Sequence, residues 1–291
     1  MEASDADRVP AMDGIGADRV RLTVDDETVS VRYFAGGTGP PLVFLHGIGI
    51  DAAPVAWRRA LPALADEFAV YAPDLPGHGG SDKPRRTYST AYFRDVLAAF
   101  LDALDLRGAS LAGLSMGGAV ALGHALDGGD PESLVLVDSY GLGGDAYWRA
   151  PAALALRTPF TGGGLWGSTA TRAGVRTYLR GLTGECLPED LVEDVRRVVS
   201  PATMRTLRSW QRHEFRVGGL RTDYSDRLAE LTAPTTLVHG AADPLLPVAW
   251  SRRAAERLPD AELRVFEGCG HWPPREKPDA FADALTRGVR R

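Results

Sequence analysis

The sequence predicts an α/β fold: a mostly parallel sheet, helices on both faces, and a helical segment inserted into it. Three observations carry this reading. Short apolar runs suited to buried strands alternate with amphipathic helical stretches, the pattern of βαβ units. One run leads into Gly113-Leu114-Ser115-Met116-Gly117-Gly118 and then directly into a small, apolar helical stretch. The alternation stops after Asp138 and resumes at Thr235.

Taken in order, residues 1–17 are rich in Asp, Ala and Gly without periodicity and read as a loose arm. Residues 19–24 and 28–34 alternate apolar and polar side chains around Asp25-Asp26-Glu27, which predicts an edge hairpin. Residues 42–45 form a buried strand that closes in His46-Gly47-Ile48-Gly49. A helix over 54–66 precedes a strand at 68–71 and the turn-rich Asp74-Leu75-Pro76-Gly77-His78-Gly79. Steps of three and four between Phe93, Val96, Leu97, Phe100, Leu101 and Leu104 predict an amphipathic helix over 92–106. The serine motif follows, then a strand at 133–138. Residues 141–227 contain glycine breaks, among them Gly162-Gly163-Gly164, and helical pieces near 170–182, 188–199 and 201–216. We read them as a helical cap on a core formed by 18–140 and 228–291. That core resumes with a strand at 235–239, a helix near 248–258, a strand at 262–266 and a last helix carrying Phe281, Leu285 and Val289 on one face.

Composition narrows the function classes. With 44% hydrophobic and 24% charged residues the chain is an ordinary globular protein, and a net charge of −5 without basic blocks argues against a nucleic-acid partner. No stretch approaches the ~18 apolar residues of a membrane span, and the acidic start has no signal-peptide pattern. Cys186 and Cys269 are far apart in sequence and read as reduced thiols. The expectation is a cytoplasmic monomer or homodimer acting on a small molecule, with no metal and no cofactor.

The motifs name a chemistry. A strand-turn-helix with glycines two residues either side of Ser115 lifts that hydroxyl clear of the sheet, above a helix N-terminus suited to a developing oxyanion. A serine hydroxyl needs a base, and the base an orienting acid. His271, in Gly270-His271-Trp272 between the last strand and last helix, and Asp243, in Gly240-Ala241-Ala242-Asp243-Pro244, both fall at C-terminal ends of strands. Asp138 competes for the acid role from the end of the strand after Ser115. Of the other histidines, His46 reads as shaping its loop and His78 as bracing its glycine turn. His124 and His239 read as core residues, and His213 could touch substrate.

These stretches, with the order Ser115, Asp243, His271, resemble the α/β-hydrolase superfamily from about residue 28 to the end. The resemblance implies the α/β-hydrolase fold, a nucleophile at Ser115, a base at His271, an acid at Asp243, and an oxyanion hole from the backbone N–H groups of Met116 and Ile48. It implies a serine hydrolase cleaving a carboxylic ester or similar activated carbonyl through an acyl-enzyme. Haloalkane dehalogenases and epoxide hydrolases resemble this fold but need a carboxylate at position 115. Ser115-Met116-Gly117-Gly118, Gly141-Leu142-Gly143-Gly144 and His271-Trp272 also resemble meta-cleavage-product hydrolases, which cleave a carbon–carbon bond in dienoates. Leu114 and the loop His46 to Asp51 depart from that pattern, and Arg196 and Arg197 lie only near the expected cap arginine. An enol-lactonase, or a binding protein with a slow triad, are the remaining alternatives.

The cap adds a charge pattern. Arg172, Arg176 and Arg180, then Arg205, Arg208, Arg212 and Arg216, recur at helical spacing, and residues 141–227 hold 13 Arg against 9 acidic residues. Facing the site, these rows would favour a carboxylate-bearing substrate; facing outward, they are solvated helix surfaces. Trp148, Trp166, Tyr178, Trp210 and Phe215, with Trp272, are candidates for an apolar substrate pocket.

Overall fold

A computed structural model describes residues 12–156 and 171–291. Most of the predicted arm, the break at Gly162-Gly163-Gly164 and Trp166 lie outside the described residues.

The alternation of strands and helices resolves into one eight-stranded sheet. Its strands are β1 (Ile15–Val24), β2 (Glu27–Gly36), β3 (Pro41–Leu45), β4 (Ala69–Pro73), β5 (Ser110–Leu114), β6 (Leu134–Val137), β9 (Thr235–Gly240) and β10 (Ala261–Phe266). Between β6 and β9 in sequence lies a separate hairpin of two-residue strands, β7 (Phe215–Arg216) and β8 (Gly219–Leu220). The order across the main sheet is β1-β2-β4-β3-β5-β6-β9-β10. Only β1/β2 and β2/β4 pair antiparallel. The other pairs are parallel, as βαβ crossovers require. The edge hairpin begins earlier than its alternation suggested: Ile15 pairs with Gly36, so residues 15–17 belong to β1 rather than to an arm.

The period of two along each strand assigns every central side chain to one of two cores. Val43, Leu45, Leu111, Leu134 and Leu136 face the layer that holds the helices Thr90–Ala103 and Met116–Leu126. Leu42, Phe44, Ala112, Val135 and Val137 face the layer of Trp57, Leu61, Phe281 and Leu285. Burial on both faces is why these strands read as unbroken apolar runs. The helix Thr90–Ala103 starts where Ser89 Oγ accepts the Tyr92 N–H at 3.0 Å. The helix expected over 54–66 is instead two short ones, Ala53–Trp57 and Ala60–Leu64, because Pro62 has no N–H to give the preceding turn.

The inserted segment is helical where the sequence placed helices, with Arg172–Arg180, Glu189–Val198 and Pro201–Glu214. Ser200 and Thr203 form a reciprocal capping box at the start of the last. The helix Arg149–Ala155 and the β7–β8 hairpin were not anticipated; each is too short to show a period. Among the described residues no helix is long and apolar enough to cross a membrane.

The tightest fit in the fold lies under the serine turn. A Cβ on Gly113 would stand 2.4 Å from Gly117 O, and one on Gly117 would stand 2.2 Å from Leu45 O. Backbone atoms cannot retreat as side chains can, so Gly117→Ala is expected to destabilise the protein by about 3 kcal/mol. The urea midpoint of the variant against wild type, read by circular dichroism, measures this; an unchanged midpoint would refute the fit.

Candidate active site

The sequence places Ser115 between β5 and the helix Met116–Leu126, and the backbone there is forced. Ser115 has φ 55° and ψ −118°, a conformation costly for a residue with a Cβ. It is held by its own N–H donating to Val137 O at 2.9 Å and by Tyr140 N–H donating to its carbonyl at 3.0 Å. Although Ser115 occupies the N-cap position, its hydroxyl makes no capping bond. The side chain is therefore left for the cavity above it.

Asp243 and His271 meet across the ends of β9 and β10. Asp243 Oδ1 accepts the N–H groups of Leu245 at 2.8 Å and Leu246 at 3.2 Å, which fixes the carboxylate. His271 Nδ1 donates to its other oxygen, Oδ2, at 2.7 Å. That bond leaves Nε2 as the nitrogen free to take a proton. Burial opposes charge on the His271 ring, but the charge and hydrogen bond of Asp243, aided by Asp51 and Glu276, outweigh it and raise its pKa above the ordinary value.

Asp138, the rival acid, is differently engaged. Its Oδ1 accepts the Gly240 N–H at 2.8 Å and its Oδ2 is buried without a partner. Burial, and then the nearby Asp243 carboxylate, push its pKa well above its ordinary value. His239 sits between them and spends both nitrogens: Nδ1 accepts from Ser251 Oγ at 2.7 Å and Nε2 donates to Leu246 O at 3.0 Å. Asp138, His239 and Asp243 each place an atom within 4.8 Å of the others. A metal there would have to displace the His239–Leu246 bond.

The loop after β3 presents one backbone amide between two that are engaged. Gly47 N–H donates to Asp51 Oδ2 at 2.7 Å and Gly49 N–H to His78 Nε2 at 3.1 Å. The Ile48 N–H between them, and the Met116 N–H at the helix start, have no acceptor among the described residues. His46 locks the loop from below, donating from Nδ1 to Gly47 O at 2.6 Å and accepting the Leu75 N–H on Nε2 at 2.9 Å. His78 does more than brace its own turn, since it holds Gly49. Burial, then the neighbouring His46, drives its pKa well down, and only the neutral ring can accept that amide.

Ser115, His271 and Ile48 line one cavity of about 250 Å³. Its walls are apolar, with Trp148, Leu207, Trp210, Phe215 and Trp272 among the lining residues. Trp210 and Trp272, two of the residues the sequence offered for substrate contact, both line it. His213 does not: Leu207, Trp210 and Gln211 share the lining face of the helix Pro201–Glu214, and a turn of 3.6 residues puts His213 on its flank. The arginine rows also turn away. Arg172 pairs with Glu189 and Glu193, Arg176 pairs with Glu189, and none of the seven lines the cavity. The acidic group that does line it, beside His271, is Asp51, buried and with its pKa raised chiefly by that burial. Sequence reading passed over Asp51; a carboxylate five residues beyond His46, closing a glycine loop, was the available signal. A larger open cleft of about 680 Å³ lies near Asp145, Arg253 and Arg257 and contains none of the residues above.

Comparison with known proteins agrees with this architecture. The chain belongs to the alpha/beta hydrolase family, which matches residues 42–284. It is thereby a hydrolase. A 2-hydroxymuconate semialdehyde hydrolase from a Pseudomonas species is 30% identical over 262 residues, covering 86% of each chain. A soluble epoxide hydrolase from a Corynebacterium species is 32% identical over 279 residues, 88% of this chain and 92% of its own. A meta-cleavage product hydrolase from Pseudomonas fluorescens superposes with a TM-score of 0.78 at 25% identity, covering 95% of this chain and 98% of its own.

The His271–Asp243 bond has a direct readout. By NMR the His271 imidazole is expected to titrate above the ~6.5 of a free histidine, and Asp243→Asn to lower that midpoint. A His271 midpoint at or below the free value in wild type would contradict the geometry.

Proposed function

We propose that this hydrolase cleaves uncharged carboxylic esters through an acyl-enzyme on Ser115. The observation that carries the reading is the shared cavity. Ser115, His271 and Ile48 line it, Asp243 holds the far nitrogen of His271, and the amides of Ile48 and of Met116, the residue after Ser115, are unengaged. In the first step His271 Nε2 takes the Ser115 proton as Oγ bonds to the carbonyl carbon. The carbonyl oxygen then carries the negative charge, facing the two amides. Collapse of this intermediate breaks the bond to the alcohol oxygen, which leaves with the proton from His271. Water, deprotonated by the same nitrogen, attacks the acyl carbon; the acid is released and the proton returns to Ser115.

Residues 141–227 act in this reading as a cap that shapes the acyl pocket, since Trp148, Leu207, Trp210 and Phe215 come from it. An apolar lining with Asp51 as its carboxylate suits a neutral acyl chain; an anionic tail would meet Asp51 and, among the described lining residues, no arginine or lysine. The motif Ser115-Met116-Gly117-Gly118 and the kinship with hydrolases of meta-cleavage products support a second reading, carbon–carbon hydrolysis of a dienoate. Kinship with an epoxide hydrolase does not extend to its chemistry here, because position 115 is a serine rather than a carboxylate.

A panel of p-nitrophenyl esters and a coloured dienoate separates these. The butyrate ester is expected to be cleaved with a kcat/KM at least about tenfold above the succinate half-ester, a size set by one unscreened like charge nearby. Ser115→Ala is expected to fall to background and Asp243→Asn to lose about 10³–10⁴ in kcat, as in other triads. Ester hydrolysis that survives Ser115→Ala would overturn the proposal, and dienoate turnover well above ester turnover would favour the second reading. With His271 as base, kcat/KM must rise with pH through the His271 pKa, which lies above the free-histidine value.

A further inference from the structure

The loop that carries His271 is bound from above by the inserted segment as well as from below by the sheet. His271 N–H donates to Leu182 O at 2.9 Å, and Glu185 N–H donates to Gly268 O at 2.8 Å. The two backbones touch so closely that a Cβ on Gly184 would stand 2.1 Å from Gly268 O, and one on Gly270 would stand 2.3 Å from Leu182 O. At their junction sits one carboxylate, Glu276, from the short helix Pro273–Glu276. Glu276 Oε2 accepts the Gly184 N–H at 2.7 Å and the Gly270 N–H at 2.9 Å, while Oε1 accepts the Trp272 N–H at 3.0 Å. These amides flank His271 on both sides and include one from the segment opposite. Leu182, at the head of that segment, lines the same cavity as Ser115.

We propose that Glu276 is a positioning residue for the reaction: its carboxylate clamps the 182–185 segment to the 268–272 loop and so fixes the His271 ring toward Ser115. The inference rests on His271 being the base of the proposed hydrolase. Three short bonds from amides to one carboxylate are stronger than bonds between neutral groups, and they orient the backbone on both sides of the ring without touching it. An amide side chain cannot replace the carboxylate. Gln has one acceptor oxygen, so its NH₂ would face an N–H at either Trp272 or Gly184 and Gly270. The charge matters as well as the geometry. The ionisable groups around the ring are Asp243 and His239 from β9 and the loop after it, Asp51 from the loop after β3, and Glu276. Of these, Asp243, Asp51 and Glu276 favour the protonated ring.

The test compares wild type with Glu276→Gln, Glu276→Asp and Glu267→Gln, an exposed control on the preceding turn. Each is assayed for p-nitrophenyl butyrate hydrolysis over a pH series, with the folded fraction measured by circular dichroism. Wild-type activity that depends on Ser115 is established first, so that failure of the hydrolase reading shows before any Glu276 variant is compared. Glu276→Gln is expected to lose about ten- to a hundredfold in kcat with KM within twofold, and its acid limb should move to lower pH. Glu276→Asp keeps the charge but retracts it, so it should lose part of kcat while holding the acid limb in place; Glu267→Gln should match wild type. A merely structural role would lower the melting temperature yet leave kcat per folded molecule and the acid limb unchanged, and that result in Glu276→Gln overturns the proposal. If Glu276→Gln does not fold, Glu276→Asp decides: kcat within twofold of wild type overturns it, and a larger loss with the acid limb in place supports it.

Discussion

Everything about the site follows from a steric constraint at one turn. The chain must pass from β5 into the helix Met116–Leu126 with no room for side chains at positions 113 and 117, where the backbone meets Gly117 O and Leu45 O. That approach forces Ser115 into a positive φ, and the Val137 and Tyr140 bonds hold it there. The cost in backbone strain, of order 1–3 kcal/mol, is offset by a neighbourhood buried on all sides. What the strain leaves is a hydroxyl not used for capping, standing over the first amide of a helix.

Three buried carboxyl groups near that hydroxyl show how environment divides alike residues into unlike roles. Asp243 accepts two backbone amides on one oxygen and the His271 ring N–H on the other. Asp138 has one amide, an orphaned oxygen and a carboxylate nearby, which favour its proton. Asp51 spends both oxygens on backbone amides and, in doing so, leaves Ile48 as the unengaged donor of its loop. The histidines divide similarly: His46, His78 and His239 spend both nitrogens on their neighbours, while His271 keeps one for the cavity.

Much of this was legible in the sequence where local geometry leaves few choices. The buried strands were readable because both faces are covered, and the turn at Ser115 because only glycine fits its flanks. Asp243 and His271 were readable because parallel strands bring their C-terminal ends to one edge. Partners distant in sequence were not readable. Whether Arg172 or Arg205 faces substrate depends on how the inserted helices rotate against the core, and an arginine row at helical spacing looks the same on either face. His213 missed the cavity for the same reason, while Trp210, three residues earlier, lines it. The role of His78 in holding Gly49, and the grip of Glu276 on Gly184, join segments 29 and 92 residues apart. No local pattern encodes such contacts.

The proposed ester hydrolysis requires that Ser115 become covalently acylated during turnover. Rapid acid quench of the enzyme mixed with p-nitrophenyl butyrate, followed by mass spectrometry of the digested protein, observes this directly. A butyryl increment is expected on the peptide containing Ser115, formed in a burst and accumulating further when deacylation is slowed. An increment on another residue, or steady turnover with no covalent species under conditions where a reference serine esterase yields one, would contradict it.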